Sequence, residues 1–314
     1  MLYQLSYTPV GGGASKAWRG RRQGYPPAPV ICHQPAQFAR LGAVHDPLTP
    51  NVIDPELLML AYRGGIFPMA DSRDDPEVFW VEPQRRAILP LEHFRCSRSL
   101  ARSLRRGKFR VSCNQAFAEV MAACAAPRRK AHDEAGGESW ISERIVASYI
   151  RLHRLGHAHS IECWQPDADG AEELVGGLYG VGFDQVFCGE SMFSRVPDSS
   201  KVALAWLVVA LRRARVTLLD CQFITPHLAS LGAVEMSQKQ YLVLLKAAQE
   251  PYVAGGLGAV EGLGKGEGLG AAGGALALAL ALPAGFAALL AEAAAAGSSS
   301  SPGNFIAQSF TQTS

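Results

Sequence analysis

The sequence predicts an α+β fold: a small α/β unit, then a larger domain of mixed strands and helices, set between two low-complexity tails. Three observations predict it. Between about residues 46 and 250, strand-like runs alternate with capped helical stripes, without the regular βαβ spacing of a parallel sheet. Residues 1–45 are rich in Gly, Pro and Arg and show no core periodicity, so a disordered N-terminal tail is expected. Gly255–Ser301 is a Gly/Ala/Leu/Ser tract, so residues 251–314 are read as a low-complexity C-terminal tail. The expected division is 1–45 tail, 46–97 small N-terminal domain, 98–250 larger domain and 251–314 tail.

The elements follow in chain order. Asp54-Pro55 caps a helix that runs to Arg63 and stops at Gly64-Gly65. "VFWVEPQRRAIL" has strand character. A helix over Ser99–Arg106 sets Arg98, Arg102, Arg105 and Arg106 along one stripe, with Leu100 and Leu104 opposite. "KFRVS" is a strand; Ser112 and Gln115 then have capping-box spacing before a helix carrying Phe117, Val120, Met121 and Cys124. After a polar loop, Ser142 caps a helix with Ile145, Tyr149 and Leu152 on its apolar stripe. Strands "HAHSIECWQ", "ELVGGLYGV" and "QVFCGESMF" follow, the last two joined as a hairpin around Gly182-Phe183-Asp184. An apolar helix spans Ser200–Arg213, and a strand spans Val216–Gln222. Thr225-Pro226 opens a short helix, and Ser237 with Gln240 opens a last one bearing Tyr241, Leu242, Leu244 and Leu245.

Composition bounds the function. The chain has 314 residues, 48 % apolar and 18 % charged, enough for a sizeable core. Its seven cysteines are odd in number, scattered and free of any C-x-x-C, and the opening residues are not expected to act as a signal peptide. Reduced thiols in a cytoplasm are expected, not a disulfide framework. Ala271–Leu290 has no charge, but it is mostly Ala and Gly and Pro283 interrupts it. It is read as a tail, not a membrane span. The net charge of +2 is uninformative, whereas Arg95–Arg110 holds seven cations and no acid. That run suits either a polyanion or plain solvation.

Chemistry is concentrated at two strand ends. In Val216–Gln222, alternation puts Val216, Leu218, Asp220 and Gln222 on one face and Cys221 on the other. Cys221 is therefore read as an inert buried thiol. In "FCGESMFS", Glu190 and Ser191 end an apolar run, where a charge needs a partner or a ligand. His157 and His159 share a face but lack a third ligand at a telling spacing, so no metal site is assigned. Trp80, Trp140 and Tyr149 suit core packing or ring stacking.

Taken in order, "LMLAYRGGIFPM", "ESWISERIVASYIRLHRLGHAHSIECW", "ELVGGLYGV", "VFCGESMFSR", "DSSKVAL" and "LLDCQFITPHLASLGAVE" closely resemble the leucyl/phenylalanyl-tRNA–protein transferases. The resemblance runs from about Asp46 to Ala248 and leaves both tails aside. It implies a GNAT-like acyltransferase domain behind a small N-terminal domain. It also implies transfer of Leu or Phe, and more weakly Met, from aminoacyl-tRNA to proteins beginning with Arg or Lys, which marks them for N-end rule degradation. By the same resemblance, Asp220 and Gln222 fall on the catalytic Asp and Gln, and Glu190, beside Ser191, on a substrate-binding Glu. Leu178, Phe187, Leu204 and Leu207 fall on the apolar amino-acid pocket, and Trp140 and Tyr149 on positions that shape the site for the tRNA end. Met69 stands where the family often has Trp, and Leu207 where it can use Phe. A cytoplasmic enzyme without metal or organic cofactor, acting as a monomer away from membranes, is expected.

The chemistry agrees with the residue types. An aminoacyl ester is already activated, and an α-amine with pKa about 7.7–8 is partly free base at neutral pH. Asp220 has three open roles: it deprotonates the ammonium itself, acts through Gln222, or attracts the acceptor's cationic side chain. Two other classes compete. An acetyl-CoA-dependent GNAT acetyltransferase would cradle pyrophosphate on a Gly-rich loop, but "SRVPDSSKVAL" has no glycine there. A tRNA-binding module without catalysis would leave Asp220, Gln222 and Glu190 without a purpose.

Overall fold

The computed structural model describes residues 30–32, 52–126, 139–250, 272–295 and 302–310. Helix α1 (Pro55–Arg63) starts as its sequence dictates, with Asp54 Oδ1 accepting from the Glu56 and Leu57 amides at 2.8 and 3.3 Å. Three short strands form one sheet: β1 (Val30–Cys32), β2 (Phe67–Met69) and β3 (Phe79–Glu82), with β3 central and both neighbours antiparallel to it. Part of the expected N-terminal tail is thus a strand, because β3 offers an edge on which Cys32 pairs with Trp80. The rest of residues 1–45 lies outside the described residues.

The larger sheet has seven strands in the order β10-β4-β9-β8-β7-β6-β5. These are β4 (Arg85–Ile88), β5 (Arg110–Cys113), β6 (Ala158–Pro166), β7 (Glu172–Phe183), β8 (Val186–Ser194), β9 (Leu218–Gln222) and β10 (Val234–Ser237). Every neighbouring pair is antiparallel except β8 and β9. β4 lies on the N-terminal side of the expected boundary at 97, yet it sits inside this sheet, hydrogen-bonded to both β9 and β10. A turn of Asp184 and Gln185 joins β7 to β8, and Asp184 takes a left-handed φ of 47°. The hairpin is therefore real, but Gly182 and Phe183 remain within β7.

Helices cover both faces. On one side lie α1, α3 (Phe117–Ala125), α4 (Glu143–Arg154) and α7 (Gln238–Gln249); their Leu58, Val120, Ile145 and Leu245 share a core with Val181, Val186 and Leu218 of the sheet. On the other lie α2 (Arg98–Arg105), α5 (Ser199–Arg213), the short α6 (Pro226–Ser230), α8 (Ala272–Ala295) and α9 (Pro302–Gln308). Their core includes Leu104, Trp206, Leu228, Phe286 and Ile306 with Ile161, Leu178 and Leu219. Helix α5 is apolar almost all round because the sheet covers one side of it and α8 another, with Trp206 and Phe286 rings 5.6 Å apart.

Local signals fared unevenly. Ser142 caps α4 through the Ile145 amide, and Ser237 with Gln240 forms a full capping box on α7. The proposed box at Ser112 does not form: Ser112 belongs to β5, and its hydroxyl donates to buried Glu162 at 2.5 Å instead. Val216 lies outside β9 and packs in the same core as Leu219, not on the Leu218 side. The expected unpacked C-terminal tail also needs correcting. Its described part forms α8 and α9, which bury Leu282, Phe286, Leu289, Ile306 and Ala307 against α5 and α2. A fragment ending at Glu250 would strip those contacts from Trp206 and Leu104. Among the described residues no helix is long and apolar enough to cross a membrane.

Candidate active site

The site forms where the two parallel strands part. Val186, Phe187 and Cys188 of β8 pair with Leu218, Leu219 and Asp220 of β9, and the pairing ends there. Beyond it β8 stays with β7 and β9 with β4. Both strands are irregular at this point. In β8, Gly189 faces Gly180 and Ser191 faces Tyr179, so Glu190 is an inserted residue of a β-bulge. The bulge suspends alternation and sends Glu190 and Ser191 to the same side of the sheet. Gly180 is needed opposite the bulge: a Cβ there would lie 2.3 Å from the Cys188 carbonyl oxygen and 2.5 Å from the Phe187 ring. In β9 the register slips at Cys221, and Gln222 turns out of the strand at φ 61°.

Asp220 is wholly buried and fully engaged. Arg86 of β4, itself 1 % exposed, donates from Nε to Oδ1 and Oδ2 at 2.9 and 3.1 Å and from Nη2 to Oδ2. Tyr241 of α7 donates to Oδ2 at 2.9 Å, and the Gln222 backbone amide to Oδ1 at 2.8 Å. The Arg86 guanidinium is clasped between the Phe67 and Tyr241 rings at 4.8 and 4.6 Å, and Nη1 reaches the Gly65 carbonyl at 3.1 Å. Burial opposes its charge, but the Asp220 carboxylate more than reverses this and holds its pKa above the ordinary arginine value. The pair is a closed unit whose remaining output is the left-handed turn at Gln222.

Around it lies a set of buried polar atoms that make no hydrogen bond of good geometry: both amide atoms of Gln222, which lies beside Glu190, Glu190 Oε1, the Ser191 hydroxyl, which lies beside the Cys124 thiol, and the Tyr179 hydroxyl. Folded chains rarely leave such atoms unpaired unless a ligand or water completes them. Burial pushes the Glu190 carboxyl up to about 7, the nearby Tyr62 hydroxyl and Gln222 amide pull it down, and the Asp220 charge adds to the rise. Tyr149 of α4 approaches Glu190 Oε2 at 3.5 Å and bonds the Tyr62 hydroxyl, while its ring meets Tyr179 edge-on at 5.7 Å. Burial raises the pKa of all three tyrosines, so they remain neutral donors.

The structure thus gathers Asp220, Gln222, Glu190, Ser191 and Tyr149 where β8 and β9 part; Glu190 and Ser191 do not end their strand as expected, because β8 continues against β7 to Ser194. Trp140 packs in the core on that side, and Leu178, Phe187, Leu204 and Leu207 line the opposite core, all buried. Cys221 faces that opposite core too, its thiol pKa raised first by burial and then by Asp220. Arg98, Arg102 and Arg105 on α2 and Arg106 at its C-terminal cap are exposed, outside this cluster. Among the described residues no group of three or more His, Cys, Asp or Glu side chains could hold a metal ion. Sequence reasoning missed Arg86, Tyr62, Tyr179 and Tyr241. Arg86 carried no signal that sets it apart from Arg85, its neighbour ahead of the apolar "AIL".

A buried acidic and amide constellation at the parting of two parallel strands, faced by an apolar core, suits an acyltransferase. Comparison with known proteins narrows this class. Residues 88–246 match the model of the leucyl/phenylalanyl-tRNA protein transferase family, and residues 51–84 match the model of its N-terminal domain. A leucyl/phenylalanyl-tRNA–protein transferase from Novosphingobium aromaticivorans is 65 % identical over 273 residues, covering 85 % of this chain and 99 % of the relative. Its counterpart from Rhizorhabdus wittichii is 54 % identical over 212 residues, covering 68 % and 81 %. That from Zymomonas mobilis is 53 % identical over 202 residues, covering 64 % and 72 %. The chain is an aminoacyltransferase. It belongs to the leucyl/phenylalanyl-tRNA–protein transferase family.

Proposed function

We propose that the enzyme moves Leu or Phe, and Met more weakly, from aminoacyl-tRNA to proteins that begin with Arg or Lys. The products would then enter N-end rule degradation. The observation that carries this reading is the set of unpaired buried polar atoms on Glu190, Ser191, Tyr179 and Gln222, next to the parting of β8 and β9. In this reading the tRNA end, shaped by Tyr149 and Trp140, enters that notch. The aminoacyl side chain would pass between the parted strands toward Leu178, Phe187, Leu204 and Leu207 of the opposite core, while Glu190 takes a substrate ammonium on the near side. The basic stripe of Arg98, Arg102, Arg105 and Arg106 neutralises tRNA phosphates without reading sequence.

The reaction forms one C–N bond and breaks one ester C–O bond. The acceptor ammonium loses a proton, the amine attacks the ester carbonyl, and the terminal ribose hydroxyl leaves with a proton. Asp220 has no lone pair left to meet the amine, which favours its acting through Gln222. The Gln222 amide is the group free to accept from the attacking amine and orient it, and its position depends on the turn that Asp220 holds. Positioning of this kind supplies several kcal/mol toward the barrier. The GNAT-like character of the larger domain, a monomeric state and a cytoplasmic location belong to the same proposal. Six unbridged thiols among the described residues support the location alone.

Donor competition tests the reading. Purified enzyme with radiolabelled leucyl-tRNA, acetyl-CoA and an Arg-initiated peptide should yield leucyl-peptide alone. Acetyl-peptide without leucyl-peptide would favour the acetyltransferase alternative.

A further inference from the structure

Helix α2 is a poor helix by its own physics. It has eight residues, fewer than the roughly 12–15 an isolated helix needs in water. Arg98, Arg102 and Arg106 repeat at four-residue spacing, where like charges repel, and no acid occupies the first turn. Ser97 caps it through the Leu100 amide at 3.2 Å, but one cap does not hold so short a helix, and packing against α9 supplies much of its order. Gly303 sits so close to the end of α2 that a Cβ there would lie 2.0 Å from the Leu104 carbonyl oxygen. Ile306 and Ala307 are buried in the core that holds Leu100 and Leu104. Phe310 packs 4.8 Å from Phe94, just before α2, and lies under the Arg212 guanidinium at 5.3 Å. Arg212 also donates to the Leu91 carbonyl at 3.1 Å and the Ser309 carbonyl at 3.4 Å. Helix α8 ties this assembly to α5 through Phe286 on Trp206 and through Glu292, 2.7 Å from Arg213. Both helices lie beyond the stretch matched by the family model, which ends at 246.

We propose that α8 and α9 are a positioning element for the donor: they hold the basic stripe of α2 in the arrangement that receives aminoacyl-tRNA. The inference rests on the reading that α2 meets tRNA phosphates. If α2 is ordered in only a fraction of molecules once α9 is displaced, apparent affinity falls by that fraction while the chemistry of bound donor is unchanged. Gly303→Ala drives a methyl into the α2 backbone, and Phe310→Ala removes the outer contact without crowding. Each should raise KM for leucyl-tRNA about 10-fold at moderate salt, with kcat within about twofold. A purely structural defect would instead reduce the active fraction, lowering kcat with KM unmoved.

The full-length chain is assayed as Gly303→Ala, as Phe310→Ala, as the quadruple alanine variant of Arg98, Arg102, Arg105 and Arg106, and as that variant with Gly303→Ala. The quadruple variant should raise KM and flatten its salt dependence, and Gly303→Ala should add nothing to it. An unmoved KM in the quadruple variant would overturn the reading of α2 itself. A raised KM there, with Gly303→Ala and Phe310→Ala both unchanged, would overturn only the role of α9. Additive effects would also overturn it, by showing that α9 acts by another route. Should Gly303→Ala fail to fold, Phe310→Ala alone and in the quadruple background decides the same question.

Discussion

Arg86→Met should lose about 3–5 kcal/mol of folding stability, because it leaves the Asp220 carboxylate buried and uncompensated. It should also slow transfer by about 10²-fold or more, the scale of losing one preorganised electrostatic group. The two losses have different origins and can be separated. Adding Asp220→Leu to Arg86→Met removes the stranded charge and should restore much of the stability. It should not restore transfer, since the Gln222 turn then lacks the carboxylate that accepts its backbone amide at 2.8 Å. Urea unfolding beside single-turnover rates gives both quantities. A stable, active Arg86→Met would show that the Arg86–Asp220 unit is packing alone.

Glu190→Gln should be nearly as damaging, and its signature is a pH profile. The carboxyl titrates near 7, above the ordinary glutamate value, chiefly because it is buried. Below that pH the neutral acid predominates and offers no charge to a substrate ammonium. Above it the anion does, so kcat/KM should rise as pH increases through about 7. The acceptor amine adds a second rise near about 7.7–8 as it loses its own proton. Glu190→Gln should keep only this second limb and lower kcat/KM about 10²-fold at pH 8. A wild-type profile that is flat from pH 6 to 7 would remove Glu190 from the ammonium site.

Much of this site was legible from residue type and strand period. Asp220 and Gln222 share a side opposite Cys221, and Glu190 is a charge within an apolar run, where it needs a partner or a ligand. Three features were not legible, each for a physical reason. Arg85 and Arg86 are equivalent as letters; only pairing of β4 between β10 and β9 turns Arg86 inward while Arg85 meets Glu235 near the surface. The bulge at Glu190 depends on register against β7, a long-range property that local alternation does not carry. Helix α8 shows no periodic stripe because Ala, Gly and Leu are spread round it, so its buried Leu282, Phe286 and Leu289 look like any other part of the tract. The false capping box at Ser112 has the reverse cause: its spacing fits a helix start, but burial of Glu162 claims the hydroxyl first.

The division of labour between Asp220 and Gln222 is tested most directly by single-turnover transfer, with saturating leucyl-tRNA and an Arg-initiated peptide. Asp220→Asn and Gln222→Ala should each slow the step by about 10²-fold or more while leaving tRNA affinity nearly intact. Cys221→Ala should be almost silent, because its thiol faces away from Asp220 and Gln222 and burial raises its pKa, which keeps it protonated. An inactive Cys221→Ala beside a fully active Asp220→Asn would contradict this account and point to a thiol acyl-enzyme.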